Sequence, residues 1–397
     1  MEQAIQSISL FLVLVEKNNF FDVVICGGGA AGLLLANALS NDKAFNHLRI
    51  ALIEKEKKNT NDRTWCFWEE GAGKWDEIVS NTWEKAVFKA DGFHSEFDLA
   101  PYKYKMIKGI DFYQKLYPQL KKNKNLYFLQ EEIEDIISSP ENCIVRTTST
   151  TYSAPRVFSS IPTTAYKNQT RFPVLQQHFI GWMVKTEVPI FDPQSVTFMD
   201  FEVPQKNKTR FMYVLPFSKH EALVEYTLFS KDLLEDKEYE VAIQDYLKDK
   251  KAGDFSITET EKGSIPMTAY DFSQHNTANL MYIGTAGGWT KASTGYTFQK
   301  SVHKVDQLIA FLKKDKPLDE FKQKSKFNFY DLLFLDVLAK YNEEGSLLFK
   351  QMFQNNPSKR IFAFLEEKTS LWQDVAIMRS FPVKRFVIAL VKRLFQL

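Results

Sequence analysis

Cysteine is nearly absent. Cys26, Cys66 and Cys143 are the three in 397 residues, widely spaced and without a C-x-x-C pair. That excludes a disulfide framework and a cysteine-built zinc site. The six histidines are scattered as well, so no metal is expected. Charge of one sign is equally lacking: 51 Lys and Arg offset 49 Asp and Glu, and no basic run interleaves with aromatics. A nucleic-acid partner is therefore not expected. No uninterrupted apolar run reaches the about 20 residues of a membrane-spanning helix. Ile8 to Val15 is apolar, but it has no basic n-region or small-residue cleavage site, and Glu16 and Lys17 follow it. It reads as an N-terminal extension rather than a signal peptide. Repeats and long linkers are missing too. What abounds is aromatic: 34 Phe, 16 Tyr and 7 Trp. Most such rings build cores, but this surplus also suits an apolar substrate tunnel.

The most specific stretch is FDVVICGGGAAG, residues 21–32. Phe21 to Cys26 has the composition of a buried parallel strand, and Ala30 to Leu39 opens an Ala- and Leu-rich helix. Between and into them run Gly27, Gly29 and Gly32 in the order G-x-G-x-x-G. These glycines permit a tight turn, close backbone approach to a pyrophosphate, and close helix–strand packing. The helix N-terminus offers unpaired N–H groups to phosphate. A second strand, Leu48 to Ile53, ends at Glu54, 22 residues beyond Gly32. A carboxylate there accepts hydrogen bonds from a ribose hydroxyl. Strand, glycines, helix, second strand and acid together predict dinucleotide binding.

Further along, 109–122 reads as an amphipathic helix, followed by strands at Leu126 to Gln130, Ile144 to Thr148 and Val157 to Ser160. From about 176 to 230 the pattern alternates, predicting an antiparallel sheet with strands at Phe179 to Lys185, Phe211 to Leu215 and Ala222 to Phe229. At Leu280 to Gly284 the parallel-strand pattern returns, and a helix from about Tyr296 to Leu312 follows. The predicted fold class is α/β. A discontinuous dinucleotide-binding Rossmann domain (20–70, 100–170 and 276–315) carries an inserted β substrate domain (71–99 and 171–275), and a helical region, 316–397, ends the chain.

Several clusters are candidates for chemistry. In NDRTWCFWEE (61–70) Arg63 is a candidate to reach the bound dinucleotide or its phosphates, and Trp65, Phe67 and Trp68 to wall a cavity; packing of a loop over the cofactor domain is the alternative. In the strand around 222–230, Leu223, Glu225 and Thr227 share one face and Val224 and Tyr226 the other, so Glu225 belongs to either surface or pocket. Glu366 and Glu367 follow an apolar helical run. Adjacent helix residues do not face each other, so the pair cannot meet at one point.

The arrangement of early and late cofactor pieces is similar to that of FAD-dependent proteins of the glutathione-reductase and hydroxylase type. There a late Gly-Asp-Ala-like motif touches the ribityl chain. Here it reads Gly284-Thr285-Ala286-Gly287, with threonine in place of the aspartate. More specifically, the chain resembles the flavin-dependent lycopene β-cyclases. The resemblance rests on DVVICGGGAAGLLLA, DRTWCFW, FIGWMVKT (179–186), FMDF with Gln205, RFMYVLPFS followed by VEYT, GWTKASTGYTF (288–298), and FAFLEE followed by IMRSFP (377–382). These run in family order over about residues 20–390. The resemblance implies bound FAD, acting reduced with NAD(P)H as electron source, and cyclisation of lycopene without net redox change. It implies Glu225, Glu366 and Glu367 as proton-handling groups. Where family members often have Glu-Asp-Thr, this chain has Glu225-Tyr226-Thr227, so the second carboxylate is absent. A carotenoid substrate also fits the basic amphipathic pattern of 379–397, with Lys384, Arg385, Lys392 and Arg393, either as a surface on an anionic bilayer or as a helix packed on the protein. The expected location is cytoplasmic, peripheral to a membrane. Two other readings remain open: an FAD-dependent monooxygenase or reductase on an isoprenoid or lipid, and a non-catalytic pigment- or flavin-binding protein.

Overall fold

The computed structural model describes residues 19–322 and 325–395. The apolar stretch at 8–15 lies outside them. Short runs buried on both faces form an all-parallel sheet, as a strand with no solvent face requires. Its order is β18 (Leu280–Tyr282), β12 (Arg156–Ser159), β1 (Val23–Cys26), β2 (Ile50–Ile53) and β8 (Leu126–Leu129). Val23, Ile25 and Leu52 pack under helices α1 (Ala30–Asn41), α2 (Gly109–Leu120) and α4 (Phe298–Leu312). The alternate residues Val24, Cys26, Ala51 and Ile53 pack on the other face against a small sheet of β9 (Ile133–Ser138), β10 (Cys143–Thr147) and β11 (Thr151–Ala154). Burial pushes the Cys26 thiol up, so it serves as a neutral apolar filler.

The second large sheet has the order β17 (Phe255–Met267), β13 (Leu175–Thr186), β16 (Glu221–Ser230), β15 (Thr209–Pro216), β14 (Ser195–Asp200), β5 (Lys85–Ala90) and β6 (Phe93–Asp98). It is mixed rather than purely antiparallel, because β14 pairs with β5 in parallel. No hairpin joins those two strands; β5 arrives from much earlier in the chain. The segment after Glu54 is not loop but strand β3 (Thr64–Glu70). It forms a small sheet with β7 (Tyr102–Lys108) and β4 (Asn81–Trp83).

Strand alternation gives the seven-stranded sheet two different faces. Ile180, Trp182, Met212, Val214, Val224 and Tyr226 meet Tyr239, Ile243 and Leu247 of helix α3 (Asp236–Asp249). Phe211, Leu215, Leu223 and Phe229 face the opposite way, toward Trp68 and the C-terminal helices. Those helices are α5 (Lys326–Lys340), α6 (Gly345–Asn355), α7 (Ser358–Leu365), α8 (Leu371–Met378) and α9 (Val383–Phe395). Reciprocal capping boxes, Ser325 with Asn328 and Ser370 with Gln373, fix the starts of α5 and α8. Arg393 donates to both oxygens of Asp336 (2.7 and 2.5 Å), tying α9 to α5.

One buried polar group makes the fold acid-sensitive. His178 of β13 is 1% exposed, between the hydroxyls of Tyr239 (2.5 Å) and Ser230 (2.7 Å). Burial, with Lys208 and Arg210 nearby, pulls its pKa from 6.5 down to about 4. Below the unfolded value the unfolded chain takes up a proton that the folded chain refuses. Stability therefore falls as pH drops from 6.5 toward 4, by up to ~3 kcal/mol. Urea midpoints for wild type and His178→Gln over that range check this. The wild-type curve should drop more steeply, and parallel curves would remove His178 as the cause.

Candidate functional site

The glycine turn between β1 and α1 divides its glycines by purpose. Gly27 has φ 99°, and a Cβ there would run into the Ser160 hydroxyl. A Cβ on Gly32 would lie inside contact distance of the Gly27 carbonyl oxygen. These two are demanded by the fold. Gly29 is different: nothing lies within 4 Å of the position its Cβ would take. It borders open space at the N-terminus of α1, and that helix has no side-chain cap. Glu54, at the end of β2, accepts from the Gly28 N–H (2.7 Å) and the Glu56 N–H (2.9 Å). Its carboxylate thus sits beside the same turn.

The late turn adjoins the early one. Gly284 (φ 60°) leaves only 2.8 Å between its would-be Cβ and Cβ of Ala31 in α1. Gly284–Gly287 makes one tight 3₁₀ turn, and a Cβ on Gly287 would strike the Tyr282 carbonyl oxygen. Thr285, standing where the similar FAD-dependent proteins have aspartate, hydrogen-bonds Thr290 (3.0 Å), which bonds Thr297 (2.7 Å). An open cradle of amides, a carboxylate at the second strand and a small-residue turn all meet at one place. These residues fit a dinucleotide such as FAD.

Thr285 also lines a cavity of about 330 Å³ on the far face of the seven-stranded sheet. Its walls are largely aromatic. Trp68 meets Tyr296 edge-on with centroids 4.5 Å apart, and Tyr104 meets Phe198 in the same way at 4.7 Å. Tyr104, Tyr213 and Tyr296 converge their hydroxyls, with Tyr104 at 2.7 Å from Tyr213 and 2.9 Å from Tyr296. Burial pushes all three phenols up, so they remain neutral. Trp65 and Trp68 wall this cavity as the sequence suggested. Phe67 does not: it lies on the side of β3 opposite Trp68 and, with Trp65, stacks on Phe298 of the parallel-sheet core, where only Trp65 also reaches the cavity. The exposed Arg63 sits at the rim and donates to the Asp62 carbonyl (2.7 Å).

Glu225 faces into this cavity with Leu223, Thr227 and Phe229, and is 6% exposed. Strand alternation alone left it between surface and pocket; the C-terminal helices covering this face decide for the pocket. Burial, then the negative charge of Glu261, pushes the Glu225 carboxyl well above its ordinary range. Thr227 donates a hydrogen bond to it. Glu261 is absent from the sequence reading because its strand, ITETEK, carries the alternating charges of a solvated edge. Tyr104 and Tyr213 were missed likewise.

Glu366 and Glu367 are not brought to Glu225. Helix α7 ends at Leu365, which reaches the cavity; the two glutamates follow outside its lining. They are not side by side on a helix either: Glu366 is the C-cap and Glu367 is left-handed at φ 64°. Glu367 lies 3.4 Å from Lys291 and 2.6 Å from Lys300, and despite its burial these cations hold its carboxyl below the ordinary value. Glu366 is pushed up by burial, against the pull of Lys368 at 2.7 Å. The same neighbourhood explains GWTKASTGYTF. Lys291 and Asp331 form a buried ion pair (2.8 Å), and Ser293 adds a bond to Asp331 (2.8 Å). This pins the loop that delivers Tyr296 to the cavity.

A second, mostly apolar cavity of about 250 Å³ shares Ser293, Thr294, Phe349, Met352 and Leu365 with the first. Its outer lining includes Val375 of α8 and Val383 and Val387 of α9, all surface-exposed.

Fold and site together define an α/β protein of flavoprotein architecture, in which a dinucleotide turn adjoins an aromatic chamber holding a buried carboxyl. More particularly, the chain belongs to the lycopene cyclase family, whose sequence model, described as lycopene cyclase protein, matches residues 22–393. Among solved structures it is similar to a flavoprotein/dehydrogenase from Cytophaga hutchinsonii, at 11% identity and TM-score 0.60, covering 95% of this chain and 100% of that one. It is also similar to a geranylgeranyl bacteriochlorophyll reductase-like protein from Thermoplasma acidophilum (11%, TM-score 0.59, 92% and 98%) and to the flavin-dependent brominase Bmp2 (12%, TM-score 0.59, 93% and 97%). At these identities the likeness is one of fold. The mitochondrial ubiquinone biosynthesis monooxygenase COQ6 of Dictyostelium discoideum is 39% identical over 46 residues, 12% of this chain and 9% of that protein.

Proposed function

We propose that this protein is a lycopene β-cyclase, forming β-ionone rings from the acyclic ends of lycopene with no net redox change. The observation that carries the reading is Glu225: a carboxyl buried in an aromatic chamber that meets the dinucleotide turn at Thr285. An alkene is a very weak base, so its protonation demands a desolvated acid that is still protonated in neutral solution. In this reading Glu225 protonates C2 of the ψ-end, charge develops at C1, the C5=C6 bond attacks, and loss of the C6 proton completes the ring. Trp68, Tyr104, Phe198 and Tyr296 exclude water and present negative ring faces to the cation. FAD is the proposed cofactor, held by Gly27, Gly29, Gly32, Glu54 and Gly284–Gly287 with Arg63 at the rim; when bound and reduced, by NAD(P)H, it supplies negative potential beside the chamber. Glu366 and Glu367 have, in this reading, a supporting place behind the loop at 291–297.

Anaerobic incubation with lycopene and reduced FAD tests this. An isobaric product is expected that has lost the isolated C1=C2 double bond at each closed end and absorbs at shorter wavelength, because the ring C5=C6 bond twists out of the polyene plane. A product heavier by oxygen or by two hydrogens points instead to a monooxygenase or reductase.

The reading includes peripheral attachment to an anionic membrane. No described helix is long and apolar enough to cross one. Helices α8 and α9 nevertheless expose Trp372 (85%), Leu394 (65%) and Phe395 (70%), and the same two helices carry Val375, Val383 and Val387 of the second cavity's lining. Of the four cations considered, Lys384 and Lys392 are exposed, whereas Arg385 and Arg393 are paired with Glu344 and Asp336. A triple Trp372→Ala, Leu394→Ala, Phe395→Ala variant should co-sediment at least ~10-fold less with anionic phospholipid vesicles, since burying one such side chain is worth roughly 1.5–3 kcal/mol. Unchanged sedimentation would remove the membrane surface from α8 and α9.

A further inference from the structure

Gly181 lies at the centre of β13, opposite Glu225 on β16 and opposite Glu261 on β17. All three positions point to one face of the sheet, and strands two apart are separated by roughly 10 Å. A side chain on the middle strand ordinarily keeps its two outer neighbours apart. Here there is none. A Cβ on Gly181 would stand 3.4 Å from Cβ of Glu225, 3.3 Å from Cγ of Glu261 and 3.1 Å from Cδ1 of Leu223. Through this gap the two carboxyl groups come within hydrogen-bonding reach of each other.

Two carboxyl groups hydrogen-bond only if one of them carries a proton. Their surroundings assign it. Burial pushes both carboxyls up, but Thr64 donates to Glu261 (2.8 Å) and the Arg63 guanidinium faces it from the rim, so of the two Glu261 is better able to carry the charge. Glu225 lies deeper, among Leu223, Thr227, Tyr213 and Tyr296. We propose that Glu225 and Glu261 hold one proton between them across Gly181, with Glu261 as the positioning partner that aims the acid and links it to the rim at Thr64 and Arg63. The role in cyclisation rests on the function proposed above; the shared proton does not. Protons balance over a turnover: the one delivered to C2 is replaced by the one lost from C6. The doubly ionised pair exists only between those events, while Arg63 and Thr64 support its outer member.

The groups facing the pair are Arg63, Thr64 and Cys66 from β3 and its approach, Tyr104 from β7, Tyr213 from β15, Tyr296, and Thr227 and Glu259 on the two carboxylates' own strands. Infrared titration of the flavin-loaded protein without carotenoid reads the proton directly. Wild type should show a protonated carboxyl band at neutral pH that Glu225→Gln lacks. Glu261→Gln removes the neighbouring anion, so the Glu225 midpoint should move toward acid by about one pH unit or more. Gly181→Ala, which keeps both carboxylates but wedges them apart, should move it in the same direction. In turnover, the alkaline limb of kcat should shift likewise with KM unchanged. Coincident midpoints in wild type and Glu261→Gln overturn the proposal. Should that variant fail to load flavin, coincidence in Gly181→Ala does so, as does a wild-type midpoint in the ordinary carboxylate range. The infrared pattern without ring formation would refute the cyclase reading and leave the pair standing.

Discussion

Glu225→Gln is expected to lower the rate of ring formation by ~10²–10⁴-fold, the usual span for a lost general acid. KM and bound flavin should stay near wild type. The isostere keeps the volume and removes the proton, so the change isolates chemistry from packing. Its effect on stability should have the opposite sign from most buried substitutions. The Glu225 carboxyl is raised by burial and by Glu261. Such a group's contribution is fully present below the unfolded pKa and is lost as pH rises through the folded one, because the folded site resists the charge that the unfolded chain accepts. Glu225→Gln should therefore match or exceed wild type in thermal stability on the alkaline side, and by a margin that grows with pH. Near-normal turnover with intact flavin would remove Glu225 as the acid. A large stability loss would mean that the strand, not the proton, had been disturbed.

Gly32→Ala and Gly29→Ala should separate fold from ligand in the glycine turn. At Gly32 the added carbon meets backbone, the Gly27 carbonyl, which has no flexible end to yield. A cost of ~1–3 kcal/mol or more is expected, with loss of bound flavin following from the displaced helix. At Gly29 the carbon enters open space. Thermal stability without flavin should change by under about 0.5 kcal/mol, whereas flavin affinity should fall at least ~10-fold, since the methyl occupies the approach to the amides of α1. Flavin content by absorbance and unfolding of the flavin-free proteins distinguish the two. Equal stability loss in both variants would contradict the division.

Legibility differed between regions for physical reasons. The glycine turn and its flanking strand, helix and acid are local, so spacing alone described them; β1 and α1 begin and end within two residues of the expected places. The alternation at 222–230 correctly separated the Val224 and Tyr226 face from the Leu223, Glu225 and Thr227 face. Residues 64–70 escaped because their partner is β7, nearly forty residues away. The FLEE segment misled through helical periodicity: the run is helical to Leu365, and the left-handed turn at Glu367 carries the glutamates off the axis.

The amino-acid order by itself determined what depends on neighbours along the chain: the glycine turn, the α/β fold class, and which side of β16 the carboxylate occupies. Only the tertiary structure decided that this side is buried. Five helices from the far end of the chain close over it, and nothing in the strand records what will cover it. The meeting of Glu225 with Glu261 is likewise a three-dimensional fact. It depends on two strands flanking a third at the one residue without a side chain, and no spacing in sequence encodes that register.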